Sequence, residues 1–135
     1  MKVRRRMTVL FKVSEVFPIS PLELYDAWLD AQTHSEMTGS PTEISAEAVT
    51  SFSAGDGYIQ GVNLELEPGK RILQRWRTTD FSEDDEDSIV EILLEEAGDG
   101  TRLTIIHSNL PEDGMQYQDG WVKWYFTPMK RYFSP

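Results

Sequence analysis

Between Gly120 and Phe133 the chain reads Gly-Trp-Val-Lys-Trp-Tyr-Phe-Thr-Pro-Met-Lys-Arg-Tyr-Phe, and this run restricts the fold more than any other stretch. Trp121, Trp124, Tyr125, Pro128 and Tyr132 fall at i, i+3, i+4, i+7 and i+11, which places them along one broad face of a helix. Each such ring buries roughly 150–250 Å² when covered, so the helix needs a wide apolar surface beneath it. Pro128 lacks the N–H that would bond the Trp124 carbonyl, which predicts a kink lifting one end of the helix from its bed.

The preceding chain supplies strands for that bed. Met7 to Phe17 alternates with period two, Val9, Phe11 and Val13 facing inward. Ser20-Pro21 with Glu23 is a helix start, an N-cap and a capping box, and Leu24, Tyr25 and Trp28 form that helix's inner face. A second short helix, 31–38, ends at Gly39-Ser40-Pro41. Strands are then predicted over 44–53, 58–67, 70–79, 88–96 and 101–108, separated by Gly55-Asp56-Gly57, Pro68-Gly69, an acidic stretch from Glu83 to Asp87, and Gly98-Asp99-Gly100. Parity puts Ile44, Ala46, Ala48 and Phe52 on one side of their strand, Tyr58, Val62, Leu64 and Leu66 on one side of the next, and Ile72, Gln74 and Trp76 together on the third. The expected order is β-α-α-β-β-β-β-β-α, an α+β layout with an antiparallel sheet wrapped around a long C-terminal helix.

Composition narrows the function. At 135 residues the chain is read as one domain, 1–135, able to bury roughly two-thirds of its unfolded surface. It has no cysteine, which excludes disulfides and thiolate chemistry and fits a reducing, cytoplasmic setting. Four of the 13 basic residues lie in the first six positions, a loose basic tail; nine remain against 23 acids, a formal −14 over residues 7–135. Such an acidic body repels phosphate backbones and argues against nucleic acid as a partner. No membrane span is expected.

The element order, together with Pro68-Gly69-Lys70-Arg71-Ile72, Trp76-Arg77, Gly100-Thr101-Arg102-Leu103-Thr104, His107, Pro111 and Gly120-Trp121, resembles the domain of the ATPase activators of the ninety-kilodalton heat-shock chaperone. That family belongs to the START-like, or SRPBCC, helix-grip superfamily, and the likeness, to a single-domain form, runs from Val9 to Phe133. It implies a sheet gripping the C-terminal helix, with an apolar cavity between them. It also implies a chaperone partner.

Parity and the resemblance together nominate Phe11, Phe52, Val62, Trp76, His107, Trp121, Trp124, Tyr125 and Pro128 as the lining of that cavity. His107, inward and near a strand end, is read either as a core histidine or as a group orienting a ligand carboxylate or hydroxyl. His34 is expected to be exposed, and Glu15 to reach solvent. From Asp80 to Glu91 oxygen-bearing side chains follow the spacing of an EF-hand loop, but Asp85 stands where glycine is needed, and the stretch reads as a solvated loop. No metal or cofactor is expected. There is no nucleophile elbow and no phosphate-cradling glycine loop, so catalytic residues are not assigned. The expected function is non-catalytic binding of an apolar or amphipathic small molecule. Two alternatives stay open: a chaperone-associated stress protein acting through its surface, and a cyclase- or hydrolase-like enzyme using polar groups in the cavity.

Overall fold

The computed structural model describes residues 7–135; the basic tail falls outside the described residues. Strand β1 (Thr8–Phe17) leads into α1 (Pro21–Leu29) and α2 (Ala31–Thr38), followed by β2 (Thr50–Ala54), β3 (Ile59–Glu67), β4 (Arg71–Thr78), β5 (Ser88–Ala97) and β6 (Gly100–Pro111). The chain ends in α3 (Gln116–Trp121), a π-helical turn (Val122–Phe126) and α4 (Thr127–Tyr132). All strand pairs are antiparallel, in the order β1-β6-β5-β4-β3-β2, so the first strand closes onto the last. The architecture is α+β, a sheet holding the C-terminal helical segment against its inner face.

Local chemistry accounts for most element ends. The Ser20 side chain accepts from the Glu23 N–H at 3.2 Å, with Pro21 in the first turn. Asp30 ends α1 and caps α2, accepting from the Thr33 N–H at 2.9 Å. Gly39, at φ 78°, closes α2 in the left-handed conformation that glycine adopts without strain.

Three sequence expectations need correction. Strand β2 begins at Thr50, not Ile44: Val49 sits at φ 59°, and Ala46 and Ala48 are exposed, so only a Glu43–Ser53 bridge precedes the strand. In β3 the register shifts between Asn63 and Glu65, leaving Leu64 as an extra residue. Parity counted back from Leu66 therefore inverts beyond the bulge: Asn63 points inward and is fully buried, whereas Val62 lies opposite Arg75 on the outer face.

The third correction concerns the aromatic stripe. Without an N–H on Pro128 the regular ladder is interrupted, and the Thr127 N–H reaches back to the Val122 carbonyl, a π-type bond. The wider turn advances the helix face by one residue. Tyr117, Trp121, Tyr125, Phe126 and Met129 are buried, while Trp124 is 63% and Tyr132 43% exposed. The far half of the helix stays seated, since Met129 is completely buried. Pro128 is half-buried.

Candidate aromatic cleft beneath the C-terminal helix

A cleft of about 420 Å³, in the range of small-molecule sites, opens where α3 and the π turn pass over β4 and the end of α2. Trp76 from β4 and Tyr117, Trp121 and Tyr125 from the helix form its walls. Thr38 and Ser40 close it from the α2 side, and Tyr58 and Ile59 from the start of β3. The exposed indole of Trp124 stands at the rim, and Gly120 beneath it contributes no side chain.

The walls are held together by aromatic contacts. Trp76 and Trp121 lie 5.7 Å apart between ring centroids, Trp76 and Tyr117 5.1 Å, and Trp121 and Tyr125 4.8 Å. Trp28 of α1 stacks on Tyr125 at 5.0 Å from behind, which ties the first helix to the cleft.

Of the nine residues nominated from sequence, Trp76, Trp121, Trp124 and Tyr125 line this cleft. Phe11 and His107 lie deeper, in mutual contact at 5.3 Å, with His107 packed under Trp76 at 4.5 Å. Phe52 and the outward-facing Val62 border a separate shallow depression beside Arg77 and Asp87. Pro128 sits beyond the cleft, because the π turn carries it past the edge. Tyr58, Tyr117, Thr38 and Ser40 were not nominated. Tyr117 had a readable signal, standing four residues before Trp121 on the same face. The other three reach the cleft only through tertiary packing.

The two histidines are locked. Trp121 Nε1–H donates to His107 Nδ1 at 3.0 Å, so the proton of this neutral ring is on Nε2 and is given to Ser88 Oγ at 2.8 Å. Ser88 in turn donates to the Trp76 carbonyl at 2.8 Å. His34, against expectation, is also buried, with only 2% exposure: its Nδ1–H donates to the Trp28 carbonyl at 2.7 Å and its Nε2 accepts from the Tyr125 hydroxyl at 2.8 Å. Its position on α2 opposite the helix, rather than its polar neighbours in sequence, decides this. Burial pushes His34 down to about 4 and His107 down to about 3, so both are neutral near pH 7. Burial likewise raises Tyr125 far above the usual phenol range.

Polar groups gather at one end. The Tyr58 hydroxyl donates to Asp80 at 2.6 Å, and Tyr117 shares a hydrogen with Thr78. Burial first, with Tyr58 and Asp80 adding to it, raises Tyr117. Every buried side-chain N and O among the described residues has a partner, and no His, Asp or Glu cluster of metal-binding size occurs there. Glu15 sits at the surface, 3.5 Å from Lys130. What the cleft offers is ring faces and a few hydroxyls, one of them bonded to the Asp80 carboxylate.

Comparison with known proteins agrees with this architecture. The activator homologue of Dictyostelium discoideum is 28% identical over 97% of this chain, and the human homologue 1 is 26% identical over 94%. The chain spans about a third of the length of these curated relatives, 34% and 38% respectively. A crystal structure of an HSP90 activator from Plasmodium falciparum superposes with a TM-score of 0.81 at 24% identity, covering 91% of this chain and 94% of that one. The solution structure of an Aha1 dimer from Colwellia psychrerythraea gives 0.74 at 15% identity, covering 93% of each chain. At these identities the structural matches speak for the fold. The model of the family described as Activator of Hsp90 ATPase homolog 1-like protein matches residues 18–134, and the chain belongs to that family.

Proposed function

We propose that this domain is a non-catalytic binding protein that takes an apolar or amphipathic small molecule into the cleft under its C-terminal helix, in the cytoplasm. The observation carrying this reading is the open, ring-walled cleft of about 420 Å³ with an exposed tryptophan at its mouth. An indole 63% exposed draws little from the folded core, so its burial is left for a ligand to complete. Tyr58 and Tyr117 are hydrogen-bonded to Asp80 and Thr78, and neither histidine has a free nitrogen to serve as a base, which supports binding rather than turnover.

A native-state calorimetric screen of apolar dyes and fatty acids tests the proposal. Wild type is expected to bind, and Trp124→Ala to bind several-fold more weakly with little loss of stability. Trp121→Ala, by contrast, removes a buried ring and the His107 partner and is expected to cost about 3–5 kcal/mol. Absence of any ligand for wild type would defeat the proposal.

Family membership favours a second reading, a chaperone-associated role like that named for the curated relatives. It is tested by adding the protein to the ninety-kilodalton chaperone and measuring ATP hydrolysis. A rise in rate that survives Trp124→Ala supports surface action independent of the cleft.

A further inference from the structure

We propose that the cleft selects cations: ligands with a positive charge on an aromatic or other apolar body, the charge lodged at the Tyr58–Tyr117 end beside Asp80. This deepens the cleft-binding reading and rests on it. Among the described residues, neither lysine nor arginine lines the cleft. Its walls are ring faces, which carry the negative part of an aromatic quadrupole and attract cations.

At the polar end the Tyr58 hydrogen is already committed. Tyr58 gives its O–H to Asp80, so its oxygen presents lone pairs and is backed by a carboxylate, and a single hydrogen bond joins Tyr117 to Thr78. A carboxylate or phosphate there would be repelled by Asp80, one hydroxyl away, with no basic residue among those lining the cleft to offset it. An ammonium would meet two phenols, one of them bonded to an anion. The wider surroundings act in the same direction: Asp56 adjoins Gly55 and Asp119 adjoins Gly120, both lining residues, and residues 7–135 hold nine basic against 23 acidic side chains. At the rim the Trp124 ring already holds a cation on its face, the Lys123 ammonium 4.7 Å from the centroid.

Three probes of one shape separate the possibilities: naphthylmethyl-trimethylammonium, naphthylmethanol and naphthylacetate, titrated calorimetrically into the full chain. The expected order places the cation about tenfold tighter than the alcohol, with the acetate weakest. Asp80→Asn keeps an acceptor for Tyr58 and is expected to lower cation affinity several-fold while leaving the alcohol unchanged. Raised ionic strength, which needs no variant, is expected to weaken the cation alone. If alcohol and acetate bind as tightly as the cation, or Asp80→Asn affects cation and alcohol equally, charge selection is overturned and cleft binding stands. If none of the three binds wild type, both readings fall.

Discussion

His34 and His107 show how far a side chain's setting outweighs its residue type. Each is an ordinary imidazole in composition, yet each has both nitrogens engaged and is held neutral by burial. The consequence for acid stability has a definite sign. Unfolded imidazole takes up a proton near pH 6.5, whereas the folded rings resist until about 4 and 3. The stability tied to their neutral form is therefore complete above pH 6.5 and is lost as pH falls toward 3–4. Urea unfolding is expected to show a loss of about 1–3 kcal/mol between pH 7 and 5, before most carboxylates titrate. A flat profile across that interval would contradict the burial of both rings. At this scale the inward parity of His107 was legible from Leu103 and Ile105. His34 was not, because the element that covers it lies 91 residues away at Tyr125.

At the scale of elements, one-residue irregularities decide which faces meet. The bulge in β3 sends Asn63 inward, where its amide carbonyl accepts from Gln74 at 2.9 Å, and it turns Val62 out. The π turn moves Trp124 and Tyr132 to the surface and seats Met129 in their place. Neither is visible as a break in periodicity, since the residues on both sides of each irregularity are apolar enough to satisfy the simpler pattern. Helix starts were legible for the opposite reason: a cap is a bond within four residues, and Ser20 with Glu23 carries its own explanation. The sheet also contains a position set by close approach. A methyl group at Gly61 would collide with the Arg75 carbonyl oxygen and the Phe52 ring. Gly61→Ala is accordingly expected to destabilise by about 1–3 kcal/mol, read from the denaturant midpoint at unchanged slope. A neutral result would mean that β2 can move away from β3 without cost.

For the molecule as a whole, charge and shape act separately. The acid excess over residues 7–135 repels itself, so added sodium chloride is expected to raise the melting temperature by a few degrees, with the gain levelling once the screening length falls below about 10 Å. A melting temperature that falls with salt would point instead to ion pairs such as Arg71 with Glu91 as the dominant electrostatic contribution. The chain's order of elements, its antiparallel pairing and its helical caps were determined by sequence alone, because each rests on short-range periodicity or on a bond between near neighbours. The family likeness was readable for the same reason, as motifs in a fixed order. Only the tertiary structure decided that the aromatic stripe splits into a buried wall and an exposed rim, that the cleft ends at two phenols, one of them bonded to Asp80, and that both histidines are closed to ligands. Those outcomes depend on which faces the widened turn presents and on what packs over them. Such a choice is made by every element packed against it, and no local stretch of residues contains it.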